Sequence, residues 1–174
     1  MQKYLIVVDM QKDFVDGALG TKEAVAIVPN VVEKVKHFDG QIVFTMDTHP
    51  AQYLSTQEGH YLPVEHCIEN TEGWQIIPEL REYTTKDNAW TIKKPTFGSA
   101  NLAEILTKDQ DNISEIELIG LCTDICVVSN ALLLKAFMPE KKISVDPACC
   151  AGVTPEKHQA ALETMRSCQI QIEE

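Results

Sequence analysis

Short apolar runs rich in β-branched residues recur along this chain, and segments with helical spacing of apolar residues lie between them. Near-continuous apolar runs are typical of parallel strands that are covered on both faces. We therefore predict an α/β fold built on a mostly parallel sheet. The predicted strands cover residues 4–8, 41–46, 116–119 and 142–145, and residues 169–172 are a candidate edge strand.

The predicted helices cover residues 30–38, 102–106, 124–137 and 155–168. Pro29 precedes the first of them, and a helix start tolerates proline. Thr123 or Asp124 is a natural N-cap for the third helix, and Thr-Pro-Glu at 154–156 has the composition of a cap and first turn for the last. With no repeat or linker in sight, we expect residues 1–174 to form one domain.

The formal net charge is −11 at pH 7. So acidic a surface repels phosphates and anionic lipids, which argues against a nucleic-acid or membrane partner. The N-terminal apolar run is too short for a signal peptide, and no apolar stretch approaches the ~20 residues of a membrane span. We therefore expect a cytoplasmic protein.

Polar residues with reactive side chains follow three of the predicted strands, at Asp9, at Asp47 and within residues 120–126. Sites in α/β folds form at the carboxyl ends of strands. Cys126 lies in the first turn of a predicted helix, where free N–H groups favour the nucleophilic thiolate and can hold an oxyanion. A buried core cysteine would fit the same local pattern.

Two further residue types could act together with a nucleophilic cysteine. Asp9 can act as a general base or acid, although a turn residue or helix cap would fit equally well. A lysine beside the thiol would lower its pKa. Lys93 and Lys94 are both candidates, and spacing does not choose between them. A redox pair of Cys122 and Cys126 is disfavoured, because Cys-x-x-x-Cys is not the usual redox spacing.

A metal site is the second chemical pattern in the sequence. Asp47 and His49 stand two residues apart after a strand, and Glu58, His60, Glu65 and His66 follow downstream. Carboxylate and imidazole ligands suit zinc, iron or manganese. A polar loop with incidental histidines is the alternative interpretation.

Three motifs together resemble the isochorismatase-like cysteine hydrolases, in particular the nicotinamidase-related branch. They are Val-Val-Asp-Met-Gln-Lys-Asp-Phe around Asp9, Lys-Pro-Thr-Phe from Lys94, and Gly-Leu-Cys-Thr-Asp-Ile-Cys-Val around Cys126. The segments 47–49, 62–67 and 146–154 extend the resemblance, which spans nearly the whole chain in the family's order.

The resemblance implies a three-layer α/β/α domain with a six-stranded, mainly parallel sheet. It implies Cys126 as the nucleophile, Asp9 as the proton-transfer group and Lys94 as the cation near the thiolate. It also implies a cis peptide bond at Leu121–Cys122, with the backbone N–H groups of Cys122 and Cys126 forming an oxyanion hole.

For the metal, the resemblance carries over Asp47, His49 and His66 as ligands of one divalent ion, with zinc favoured over iron or manganese. Glu58 fits the remaining ligand position by spacing, and His60 is its rival. Phe14 matches a pocket aromatic of the family. Pro63 stands where a stacking aromatic is usual, so we expect Tyr61 and Phe97 to complete the pocket.

The activity that the resemblance implies is hydrolysis of a small amide, first of all nicotinamide to nicotinate and ammonia through a thioester on Cys126. An N-carbamoyl or ureido substrate is the alternative within the fold, and a catalytically silent binding protein is the alternative in another class. By analogy with the family we expect a homo-oligomer.

Overall fold

A parallel sheet forms the centre of the protein. The structure, a computed structural model, describes residues 1–173. Its six strands pair in the order β3-β2-β1-β4-β5-β6, and every pairing is parallel. The predicted α/β class and the parallel sheet are confirmed. The strands are β1 (Gln2–Val8), β2 (Gln41–Asp47), β3 (Ala89–Lys94), β4 (Ile113–Leu121), β5 (Lys142–Ala151) and β6 (Gln171–Ile172).

Helices cover both faces of the sheet, because the side chains of the central strands alternate between two apolar cores. In β1, Leu5 and Val7 belong to one core, whereas Ile6 and Val8 belong to the other. The three-layer arrangement is confirmed. Within the described residues, no helix is both long enough and apolar enough to cross a bilayer. The helices are α1 (Lys12–Val15), α2 (Lys22–His37), α3 (Gln57–Tyr61), α4 (Pro78–Arg81), α5 (Ala100–Lys108), α6 (Val128–Phe137) and α7 (Pro155–Ser167).

The start of α2 was wrong in the sequence prediction. Pro29 lies inside the helix, and Thr21 caps its true start by accepting a hydrogen bond from the Ala24 N–H at 3.0 Å. Proline inside a helix removes one backbone hydrogen bond. Here Ala24, Ile27, Val31 and Val35 form a buried stripe along the helix. Tertiary packing of such a face supplies most helical stability, so it offsets the lost bond.

Strand β3 was not predicted from the sequence, because it is an edge strand with one exposed face. Ile92 and Lys94 are buried, while Thr91 and Lys93 are exposed. This alternation is the two-residue period of a strand. It answers the question that spacing left open, since Lys94 points into the protein and Lys93 points out.

The predicted N-cap of the helix over 124–137 was also wrong. A π-helical turn, Thr123–Val127, comes first, and α6 begins at Val128. The Thr123 hydroxyl contacts His158 Nδ1 at 2.7 Å, and Asp124 Oδ1 accepts the Val153 N–H at 2.9 Å. Both side chains therefore hold the turn against α7 and the segment that precedes it, rather than capping a helix.

The close approach of β1 and β4 gives a prediction for stability. Gly120 pairs with Val8 and has a φ of 114°, and a Cβ built on it would lie 2.2 Å from the Val8 carbonyl oxygen. We expect Gly120→Ala to lower the free energy of unfolding by about 2–4 kcal/mol, through backbone strain and overpacking. Urea unfolding followed by circular dichroism measures the loss.

Gly98→Ala is the matched control, because the nearest atom to its Cβ would be the Ser129 carbonyl oxygen at 3.3 Å. It should cost much less than Gly120→Ala. Equal stabilities of the two variants would contradict the role assigned to Gly120.

Candidate active site

Four neighbouring strands bring their carboxyl ends together at one edge of the sheet. Lys94 ends β3, Asp47 ends β2, Asp9 directly follows β1, and Cys126 lies in the turn after β4. Because these strands are adjacent in the order β3-β2-β1-β4, residues far apart in sequence meet in space. The structure thus brings together the three residues that the sequence predicts as a catalytic set.

The Lys94 ammonium is the common contact of this cluster. Its Nζ lies 2.6 Å from Asp9 Oδ2 and donates to Cys126 Sγ at 3.4 Å and to Asp47 Oδ1 at 3.4 Å. It also donates to the Thr96 carbonyl at 3.1 Å. Lys94 and Asp9 are fully buried, and Cys126 is 4% exposed. A buried charge needs such pairing to offset its desolvation.

Asp9 is held in an unusual backbone conformation, with a φ of 47°. Thr45 fixes it twice, since its hydroxyl donates to Asp9 Oδ1 at 2.6 Å and accepts the Asp9 N–H at 3.2 Å. Lys94 approaches Oδ2 closely but outside hydrogen-bond geometry. Among the buried side-chain nitrogen and oxygen atoms of residues 1–173, Asp9 Oδ2 alone therefore lacks a partner with hydrogen-bond geometry. That oxygen is held instead by the charge of Lys94.

The pKa values of the cluster follow from burial and from its charges. Burial and the negative charge of Asp47 raise the pKa of Asp9, and Lys94 only partly opposes them. Burial lowers the pKa of Lys94, but its acidic neighbours, Asp9 first, raise it more, so Lys94 stays charged. Burial and the charge of Asp9 raise the pKa of Cys126 well above its ordinary value, despite Lys94.

The resting form of Cys126 is therefore the thiol. The sequence alone suggested a thiolate favoured by a neighbouring lysine. Desolvation and the second charge, that of Asp9, outweigh the lysine. The predicted role of Cys126 as a nucleophile therefore requires a base, and Asp9, whose pKa is raised, is the predicted one.

The turn that carries Cys126 begins at a cis peptide bond between Leu121 and Cys122, as the resemblance implied. The Cys122 carbonyl accepts the N–H groups of Ile125 and Val127, both at 3.1 Å. The assignment of the Cys122 and Cys126 N–H groups to an oxyanion hole stays a prediction.

Asn130 ties this turn to the loop after β3. Its Nδ2 donates to the Cys126 carbonyl at 2.8 Å and to the Phe97 carbonyl at 3.1 Å, and its Oδ1 accepts the Ser99 N–H at 2.9 Å. The side chain is buried, and a buried amide requires hydrogen-bond partners. These three bonds supply partners for both its nitrogen and its oxygen. Asn130 thereby fixes the position of the Cys126 backbone. The position of an amide side chain among the apolar residues of the predicted helix was the available sequence signal.

The second cluster consists of Asp47, His49, Glu58 and His66, whose ligand atoms all lie within 4.8 Å of one another. His66 Nδ1 contacts the Val64 carbonyl at 2.8 Å, which directs Nε2 into the cluster. That arrangement is the one found around metal-binding histidines. Two imidazoles and two carboxylates fit a zinc, iron or manganese ion. Glu58 rather than His60 belongs to the group.

Sequence reasoning gave no role to Gln11 or Tyr53, yet both support this cluster. Gln11 Oε1 accepts the Asp47 N–H at 2.8 Å, and Gln11 Nε2 donates to the Asp47 carbonyl at 2.8 Å. The buried Tyr53 ring lies 4.8 Å from that of His49 and 4.9 Å from that of His66. Thr45 was missed as well, although a lone hydroxyl in an apolar strand was a usable signal.

A cavity of about 380 Å³ opens beside this second cluster. Two of the three predicted pocket aromatics, Tyr61 and Phe97, line it, and both are well exposed. The third, Phe14, packs on His66 with 5.5 Å between ring centroids and is not a lining residue of this cavity. The cavity walls are completed by Gln57, Glu58 and Thr96.

Residues 3–173 match the family model of the isochorismatase domain. The chain belongs to the isochorismatase family. A crystal structure of nicotinamidase/pyrazinamidase PncA from Bacillus subtilis superposes with a TM-score of 0.86 at 29% identity, covering 100% of each chain. That of a Pyrococcus horikoshii pyrazinamidase in complex with zinc gives a TM-score of 0.83 at 30% identity, over 100% of this chain and 99% of that one.

Among curated proteins, the nicotinamidase/pyrazinamidase of Mycobacterium tuberculosis is 27% identical, over 97% of this chain and 96% of its own length. The predicted family resemblance and its fold are thus confirmed across the chain. The roles assigned to individual site residues remain predictions.

The environment of Asp9 gives a prediction about its pKa. Thr45→Val removes a hydrogen bond that favours the charged carboxylate, so the pKa of Asp9 should rise further above its ordinary value of 3.8. Carbon-13 NMR of the carboxyl groups measures this shift directly. Thr107→Val removes a hydroxyl that bonds within α5, so it serves as the control. An unchanged or lower Asp9 pKa in Thr45→Val would contradict the prediction.

Proposed function

We propose that this protein hydrolyses the C–N bond of a small aromatic amide, with nicotinamide as the first substrate to test and nicotinate plus ammonia as the products. The observation that carries the proposal is the buried meeting of Cys126, Asp9 and Lys94 beside a metal-type cluster. Family membership and relatives named as nicotinamidases support the same reaction class.

In the first half of the proposed reaction, Asp9 takes the proton of Cys126, and the resulting thiolate attacks the amide carbonyl. Lys94 stays charged and stabilises the thiolate as it forms. The N–H groups of Cys122 and Cys126 hold the oxyanion. One such donor contributes about 3–4 kcal/mol to lowering the barrier.

In the second half, Asp9 gives the proton to the amide nitrogen as the C–N bond breaks, so that ammonia leaves and a thioester remains on Cys126. Asp9 then takes a proton from water, which attacks the thioester. The C–S bond breaks, the carboxylic acid is released, and Asp9 returns the proton to the Cys126 sulfur. One carboxylate serves as base, then acid, in each half of the reaction. A raised pKa suits it to this work, because general acid–base catalysis is most effective when the pKa approaches the working pH.

Asp47, His49, Glu58 and His66 are the residues that would hold a divalent metal, with zinc proposed first. A bound ion supplies an electrophilic anchor for a ring nitrogen of the substrate. The protein's own part is to direct the imidazole nitrogens and to keep Asp47 ionised. Burial raises the pKa of Asp47, but His49 and Lys94 together lower it to below its ordinary value.

The decisive experiment is ammonia release from nicotinamide by metal-loaded, reduced protein. We expect Cys126→Ala to lower the rate by at least about 10⁴-fold, because the nucleophile is removed. Cys122→Ala is the matched control. Burial and the charges of Asp124 and Asp9 raise the pKa of the Cys122 thiol to about 12, and only its backbone N–H has a proposed role. It should keep most of the activity.

Turnover by Cys126→Ala would rule out the proposed nucleophile. An inactive wild type would reject nicotinamide, and activity on N-carbamoyl or ureido compounds would then be tested. Metal content separates these outcomes, since activity without bound metal favours the second substrate class.

The metal ligands give another prediction. Glu58→Gln should weaken Zn²⁺ binding by about tenfold or more, because a carboxylate of the cluster is lost. His60→Gln should leave it unchanged, since His60 lies outside the group of four. Competition with a chromophoric chelator measures both affinities. A larger loss in His60→Gln than in Glu58→Gln would reverse the ligand assignment.

A further inference from the structure

Asp13 lies outside both clusters, yet its side chain and its backbone bond to three separate parts of the chain. Its Oδ2 accepts the Cys67 N–H at 2.8 Å, and its Oδ1 accepts the Ala18 N–H at 3.3 Å. Its own backbone N–H donates to the Gly73 carbonyl at 2.9 Å. The bond to Cys67 spans 54 positions in sequence, so it is a tertiary contact and not part of the α1 turn.

Cys67 is the point at which both histidines of the metal-type cluster are attached. It directly follows His66 in the chain, and its carbonyl accepts the His49 N–H at 3.0 Å. Its φ is 47°, a left-handed conformation that non-glycine residues rarely adopt. Such a conformation persists only where the surroundings impose it. The bond from Asp13 to the Cys67 N–H is one such constraint.

The Asp13 carboxylate is closely packed against the backbone of two glycines. A Cβ on Gly73 would lie 2.1 Å from Asp13 Oδ2, so a larger residue there would displace the carboxylate. A Cβ on Gly17 would lie 2.6 Å from Oδ1. Two glycines therefore allow backbone to approach the carboxylate from two sides.

We infer that Asp13 is a positioning residue for the metal site. Through its hydrogen bond from the Cys67 N–H, the Asp13 carboxylate orients His66 and fixes the position of His49. This inference rests on the proposed metal site. Groups that orient metal-binding histidines typically change metal affinity by 10–100-fold when they are removed. Asp13 acts indirectly, through the backbone of Cys67, which follows His66 in the chain and accepts the His49 N–H.

The test is the Zn²⁺ affinity of the full chain, by chelator competition, together with the visible spectrum of the Co²⁺-loaded protein. Asp13→Ala should weaken Zn²⁺ binding by about tenfold or more and should alter the Co²⁺ spectrum. Asp13→Asn keeps an oxygen that can accept the Cys67 N–H, so it should restore most of the affinity. Gly73→Ala keeps Asp13 but displaces its carboxylate, so it should resemble Asp13→Ala.

Glu69→Gln is the control, because it removes a surface ion pair with Lys93 from the same segment without touching Cys67. It should bind Zn²⁺ like the wild type. If Asp13→Ala does not fold, Asp13→Asn and Gly73→Ala still decide the question.

Wild-type affinity and an unchanged Co²⁺ spectrum in folded Asp13→Ala or Gly73→Ala would overturn the inference. An equal loss in Asp13→Asn and Asp13→Ala would also overturn it, because the charge and not the hydrogen bond would then act. A wild-type protein that binds no Zn²⁺ would instead reject the metal site itself.

Discussion

Lys94 carries its charge where water does not reach, and placing an ammonium there costs several kcal/mol unless opposite charge is close. Asp9 and Asp47 supply that charge from the two neighbouring strands. This requirement couples the residues of the site. The two carboxylates repel each other, and the lysine between them stabilises both. Asp47 faces Lys94 with one oxygen and His49 with the other. The cluster around Lys94 and the metal-type cluster therefore share one carboxylate.

Much of this arrangement could be read from the sequence because it follows from the strands. Apolar runs predicted the parallel sheet, and the rule that sites lie at carboxyl ends selected Asp9, Asp47 and residues 120–126. The rule works because adjacent parallel strands end at the same edge. The cap of α7 was also predicted correctly, since Thr154 accepts the Lys157 N–H as its sequence pattern indicated.

The remaining features depend on contacts that are distant in sequence. Apart from the family resemblance, the alternation of the edge strand β3 is what separates Lys94 from Lys93, and a single half-exposed strand gives a weak pattern. The protonation of Cys126 depends on the balance between burial and two opposite charges, which no spacing reveals. Pro29 misled the prediction of α2 because the packing of a whole helix face outweighs one local signal. Thr45 and Gln11 act through residues 36 positions away.

The order of these residues along the chain determines which of them are present first during synthesis. Both carboxylates that neutralise Lys94 precede it in the chain, whereas Cys126 follows it by 32 positions. The ammonium thus has its counter-charges available before the thiol has been made. Each parallel pairing closes a long stretch of chain, and such non-local contacts form slowly. The residues that neutralise the ammonium are therefore all present in the chain before Cys126, and the sulfur joins them through the pairing of β4 with β1.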